Sequence, residues 1–226
     1  MKKIGIVFAT MDEYLPVSGV FGKCEKKENI GTFKVFSYYF KEKKIIAIIS
    51  NVGEIRAAAA TQLLITKFGV ECILNFGLCG GLTSKQKGKD VVLVDGVIHT
   101  DFDTTINDGF VPGQVIGFDR PIIKTDRELL KKAKKISAFS EVICASADKF
   151  VNTKEARIAL NKEFGADICE MEAAGILITA KSNGIPSLHV KAVSDTIEGE
   201  GAEFLVLLEQ ASRAYCKFIE QIIEVL

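Results

Sequence analysis

Acids at three points of the chain carry the chemistry most worth following. Glu170 and Glu172 flank Met171 in Ile168–Gly175, which reads Ile-Cys-Glu-Met-Glu-Ala-Ala-Gly, just before a helical pattern from Ala173 to Asn183. Acids are common in a first helical turn, where they complement the helix dipole, so the pair alone says little. Its company gives it weight. Ser194-Asp195 follows a second apolar run about twenty residues on, and Asp12-Glu13 follows the apolar run Ile4–Phe8. Ligands of open α/β sheets gather beyond the carboxyl ends of strands, which is where Glu13 and Asp195 would stand. Carboxyl groups converging on one cleft can divide acid and base work, because burial and neighbours push their pKa values apart.

The elements that must position these acids alternate. Ile4–Phe8, Cys72–Asn75, Val91–Val94, Val142–Ser146 and Leu188–Val193 are compact apolar runs, the pattern of strands covered on both faces. Phe33–Tyr39 and Ile45–Ser50, joined by the polar turn Lys41–Lys44, read as a hairpin. Helices are expected from Arg56 to about Phe68, from a capping box at Thr125–Glu128 to about Ile136, from Asn152–Glu155 onward, from Ala173 to Asn183, and from Glu203 to Leu226. Gly69 and Gly184 end two of them. There are no repeats and no low-complexity linker, which argues one α/β domain over residues 1–226. Gly77–Gly81 reads as a turn after a strand, where glycines let the backbone approach a ligand. It matches neither the dinucleotide nor the P-loop pattern, and no cofactor is expected.

Composition narrows the partners. Apolar residues make up 48%, enough for a sizeable core, and 29 basic residues balance 29 acidic ones. With no basic excess to hold a polyphosphate backbone, nucleic acid is not an expected partner. No apolar stretch approaches the ~20 residues of a membrane helix, so no membrane partner is expected. The apolar run after Met1-Lys2-Lys3 is too short for a secretory signal and meets Asp12-Glu13 at once. The six cysteines form no Cys-x-x-Cys pair and are expected as reduced thiols in a cytoplasm. His99, Asp101 and Asp103 would share one face of an extended strand, but successive ones about 7 Å apart. That spacing is too wide to meet one ion at about 2 Å, and no metal is expected.

Glu170-Met171-Glu172-Ala173 resembles the signature of the nucleoside phosphorylase and nucleosidase superfamily. Within it, the chain most resembles the nucleosidases that cleave 5′-methylthioadenosine and S-adenosylhomocysteine. The likeness also runs through Ile4-Gly5-Ile6, Met11-Asp12-Glu13, Asn75–Gly81, Gly113-Gln114, Phe150-Val151 and Val193-Ser194-Asp195, covering nearly the whole chain. It implies a three-layer α/β domain with a central mixed twisted sheet flanked by helices. It further implies that Asp195, assisted by Ser194, protonates purine N7, that Glu172 binds the ribose hydroxyls, and that Glu13 orients and deprotonates water. Met171 would pack on the sugar, Phe150 on the purine face, and the Val151 backbone would read the base edge. Val52, Cys79, Gly80 and Lys191 complete the implied substrate contacts. The likeness at Asp101–Asp103 and Pro112-Gly113-Gln114 places these residues near a subunit interface, hence an expected homodimer.

Water or phosphate as nucleophile is the main fork. Phosphorylases of the superfamily place arginine in the first strand's loop and just before the glycine turn, where this chain carries Thr10–Glu13 and Asn75. Glu13 and Glu172, both expected ionised, would repel a phosphate dianion, so hydrolysis of a purine nucleoside is the expected reaction. Three departures bear on the 5′ substituent. Lys191 stands where the nucleosidases carry arginine, and a lysine has no bidentate fork. Leu78 replaces a small hydroxyl residue, and Thr196–Ala202 is shorter than the family's lid and lacks its aromatic. A futalosine hydrolase, a purine nucleoside phosphorylase and a non-catalytic nucleoside-binding protein therefore stand as alternatives.

Overall fold

The computed structural model describes residues 1–107, 109–199 and 203–226. Strand β1 (Lys3–Phe8) is apolar on both faces because both are covered. Ile4, Ile6 and Phe8 face one core cluster, and Val7 faces another. The strand pairs in parallel with β4 (Lys43–Ile49) on one side and β5 (Cys72–Gly81) on the other. Beyond β4 lies the hairpin partner β3 (Phe33–Phe40), then β2 (Lys26–Ile30) at the edge. Sequence reading missed β2, whose Lys-Lys-Glu-Asn run is the solvated composition that protects an edge from further pairing.

On the far side of β5 the mixed sheet curls. β10 (Ser187–Asp195) pairs with β5 in parallel and with β6 (Val91–His99) antiparallel. β6 pairs with β8 (Ser140–Ser146), β8 with β9 (Ile168–Glu170), and β9 returns to β5. The short β7 (Ile123–Lys124) adds to β6. This ring of pairings brings the carboxyl ends of β5, β9 and β10 to one place.

Helices cover both faces. α2 (Glu54–Leu63) and α5 (Ala173–Ser182) bury Ala57, Ala60 and Ile176 against Val7, Ile46 and Ile73. On the other face, α1 (Met11–Ser18), α3 (Arg127–Ile136) and α7 (Cys216–Val225) set Val17, Leu129, Phe218 and Ile222 against the opposite side of the same strands. α6 (Phe204–Ala214) packs beside α1, and α4 (Lys154–Phe164) lies over β8 and β9. Among the described residues, no helix is long and apolar enough to cross a membrane.

Several local expectations change. Gly77–Gly81 is no turn but the buried end of β5, because β9 and β10 extend the sheet around it. The capping box expected at Thr125 fails. Asp126 is the N-cap, accepting from Leu129 N at 2.9 Å, while the Thr125 hydroxyl donates to the Val94 carbonyl. A capping box forms instead at Thr10–Glu13. The long helix from Arg56 ends in a π turn, Leu64–Phe68, and the terminal one breaks at Tyr215. Residues 200–202 of the short lid stretch lie outside the described residues.

Candidate active site

A cavity of about 490 Å³ opens at the carboxyl ends of β1, β5, β9 and β10. Its wall contains Glu13, Val52, Cys79, Gly80, Phe150, Val151, Met171, Glu172, Ser194 and Asp195, so ten of the residues singled out in the sequence meet in one place. Lys191 does not reach the wall. It is buried behind Glu170, to which its Nζ donates at 2.8 Å, so any effect on a ligand is indirect.

Glu13 is fixed by the start of α1. Its Oε2 accepts from Ala9 N (2.7 Å) and Thr10 N (3.0 Å), and its Oε1 from Leu78 N (3.0 Å). Burial raises its pKa, against the Lys191 charge and these three N–H groups. The carboxylate therefore sits at the cavity wall in one orientation, more basic than an ordinary carboxylate. A β-carbon at Gly77 would stand 3.0 Å from Glu13 Oε1 and 3.2 Å from Lys191 Nζ, so the strand is bare where they crowd it.

The two acids of the Glu-Met-Glu stretch have different fates. β9 ends at Glu170, whose carboxylate caps the coming helix by accepting from Glu172 N and Ala173 N at 2.9–3.1 Å. Burial alone would raise its pKa, but Lys191 and these donors outweigh it and hold Glu170 below the ordinary carboxylate range. Glu172 faces the cavity, with Oε1 accepting from Gly53 N at 3.1 Å. Burial and the neighbouring Glu170 charge push it up to about 8. Of the two acids, Glu170 thus holds the charge more readily, beside Lys191, and Glu172 ionises less readily than the sequence reading expects.

Asp195 ends β10 and is 2% exposed. Ser194 Oγ lies 2.6 Å from its Oδ1, and Arg157 Nη2 donates to its Oδ2. Burial raises its pKa, while Ser194 and Arg157 pull it down. An acid with a raised pKa, a second carboxyl near neutrality and a hydrogen-bonded carboxylate thus share one cavity. That set can protonate a leaving group, stabilise positive charge and activate a nucleophile.

The chain matches the Phosphorylase superfamily over residues 3–224. It belongs to this superfamily. An aminodeoxyfutalosine nucleosidase of Helicobacter pylori is 30% identical, the match covering 99% of each chain. A 5′-methylthioadenosine/S-adenosylhomocysteine nucleosidase of Staphylococcus aureus is 28% identical, covering 86% of this chain and 88% of its own. The crystal structure of a Helicobacter pylori 5′-methylthioadenosine/S-adenosylhomocysteine nucleosidase superposes with a TM-score of 0.94 at 28% identity, covering 100% of this chain and 99% of that one. It is complexed with a pyrrolidinol that carries an amino-pyrrolopyrimidine group.

On this phosphorylase-superfamily scaffold, the sequence reading did not anticipate Leu208 in the cavity wall or Arg157 behind Asp195. Arg157 had a signal in the sequence: it shares a helical face with Leu160 and Phe164, which pack on the core, so its charge had to find a buried partner. His99 and Asp101 lie closer than strand spacing predicts. β6 ends at His99 and the chain turns, so His99 Nε2 lies 2.8 Å from Asp101 Oδ1 and 2.5 Å from Glu54 Oε2. Asp103 turns away to Thr105. Burial lowers the His99 pKa, but the two carboxylates overcome it and favour a bridging imidazolium.

Proposed function

We propose that the protein hydrolyses the N-glycosidic bond of a 5′-substituted purine nucleoside of the 5′-methylthioadenosine/S-adenosylhomocysteine type, releasing adenine and a ribose derivative. The observation that carries this reading is the convergence of Glu13, Glu172 and Asp195, differently tuned, on one cavity. Protonated Asp195 gives its proton to purine N7 as the C1′–N9 electron pair passes into the ring. Glu172 takes the ribose hydroxyls and, as they favour its carboxylate, stabilises the developing positive charge at C1′. Glu13 accepts the proton of the water that bonds to C1′ on the opposite face, parallel to the two-carboxylate logic of glycoside hydrolysis. Phe150 packs on the purine, Met171 on the sugar, and Val151, Val52, Cys79 and Gly80 complete the envelope.

Water is favoured over phosphate because Lys191, the ammonium whose charge acts on Glu13, is committed to Glu170. A phosphate dianion would sit against Glu13 without an arginine fork to hold it. The Asp195→Asn variant tests the assignment: turnover is expected to fall by 10²-fold or more, on the order of a positioned acid's contribution, with nucleoside binding retained. Near-normal turnover would remove Asp195 from its role.

A second reading takes aminodeoxyfutalosine as substrate, favoured by the name of the Helicobacter pylori relative and its full-length match. Base release from both nucleosides, compared by kcat/KM, decides between them. The enzyme is read as a single-domain homodimer of the cytoplasm, acting in methionine salvage. Exposed Ile106, Val111 and Ile116, near Asp101–Asp103 and Gly113-Gln114, support an interface there. Light scattering showing a monomer at assay concentration would count against it.

A further inference from the structure

Helix α4 inverts the usual pattern of burial. Ile158 is half exposed, while Arg157 is fully buried. Its guanidinium is shared among three segments. Nε and Nη2 donate to the Val151 carbonyl at 3.2 and 3.0 Å. Nη1 donates to the carbonyls of Thr196 (2.8 Å), Gly81 (3.4 Å) and Asp195 (3.4 Å). Nη2 also donates to Asp195 Oδ2, the one carboxylate that pairs with Arg157 among the described residues. Burying such a charge costs several kcal/mol unless pairing offsets it, and an apolar side chain on α4 would serve packing alone. The strand beside the pair is shaped for it. A β-carbon at Gly80 would stand 3.0 Å from Asp195 Oδ2 and 3.2 Å from Arg157 Nη2.

We propose that Arg157 is a positioning residue for proton transfer, holding the proton donor Asp195 in register with the Val151 backbone that meets the base. The inference rests on the assignment of Asp195 above. A guanidinium only donates hydrogen bonds, so it disfavours the acidic proton on Oδ2, which faces it, and leaves that proton to Oδ1, whose neighbour Ser194 Oγ can accept as well as donate. When that proton passes to N7 and the C1′–N9 pair enters the purine, Asp195 is left as a carboxylate next to a fixed positive charge. Arg157 therefore favours the state after transfer and makes Asp195 a stronger acid than burial alone would allow.

The test is the pH profile of kcat and kcat/KM for wild type, Arg157→Met, Arg157→Gln, Arg157→Lys and Asp195→Asn, each checked by circular dichroism and melting temperature. Activity in kcat/KM falls on the alkaline side as free Asp195 loses its proton. Removing the guanidinium charge raises the Asp195 pKa, so in the Met and Gln variants this limb moves up by about 1–3 pH units, the usual effect of one adjacent charge. Their kcat falls at least tenfold, because the acid is weaker and the Val151 carbonyl is released. Arg157→Lys keeps the charge and returns the limb to its wild-type position, with kcat only partly restored, since an ammonium cannot hold three segments. A lowered kcat with an unmoved limb in both neutral variants would mean a merely structural role and would overturn the proposal. So would failure of both neutral variants to fold. If Asp195→Asn stays active, the donor assignment fails. If it is inactive while the limb does not move, the role of Arg157 alone fails.

Discussion

Replacing Lys191 by methionine isolates the charge pair beneath the active site. Lys191 and Glu170 are both buried, with 2.8 Å between Nζ and Oε2. At that distance and an effective dielectric of about 20, their attraction is about 6 kcal/mol. The folded variant escapes part of that loss by protonating Glu170. From the ordinary value of 4.5, protonation at pH 7 costs about 3.4 kcal/mol. This agrees with the roughly 3–5 kcal/mol lost when one partner of a buried pair is removed. The pH dependence follows from linkage. In the wild type the Glu170 pKa is held below 4.5, so the pair's contribution is present above that pH and lost as pH falls through the lower folded value. In Lys191→Met the native state holds a proton that the unfolded state has released above pH 4.5, so the variant loses stability as pH rises. The deficit should be about 3–4 kcal/mol at pH 7 and shrink by about 1.4 kcal/mol per pH unit toward pH 5. Urea denaturation of both proteins at pH 5, 6 and 7 measures it. A deficit that is flat with pH, or below about 1 kcal/mol at pH 7, would refute the buried pair as described.

Two further outcomes follow from the site. Because Glu172 is pushed up to about 8 and ribose hydroxyls favour its carboxylate, binding a non-hydrolysable nucleoside at pH 7 should release close to one proton more in wild type than in Glu172→Gln. Calorimetry in buffers of different ionisation enthalpy reads this, and the difference should vanish by about pH 10; equal release at pH 7 would contradict the raised pKa. Gly80→Ala places a methyl group 3.0 Å from Asp195 Oδ2, and kcat should fall at least tenfold while the fold persists. Unchanged kcat would show that the Asp195 geometry is not critical.

Long apolar strands were legible because two covered faces demand unbroken runs, as in β1 and β10. The cavity wall was legible because its acids follow such strands or sit in a recognisable stretch. What was not legible depends on partners distant in sequence. Nothing between residues 168 and 175 shows that Glu170 will meet Lys191 from β10 while burial and the Glu170 charge make Glu172 harder to ionise. The glycines of β5 look like a turn until β9 and β10 are seen to close around them. His99 and Asp101 looked too far apart because strand spacing was assumed past the last residue of β6, and Glu54 comes from another element altogether.

Hydrolysis in this cavity depends on excluding phosphate from the nucleophile position. The sugar product, analysed after turnover of 5′-methylthioadenosine and related 5′-substituted adenosines in excess phosphate, reports this exclusion. The expected product is the free ribose derivative, with adenine release independent of phosphate. A ribose 1-phosphate derivative, or base release that requires phosphate, would contradict it.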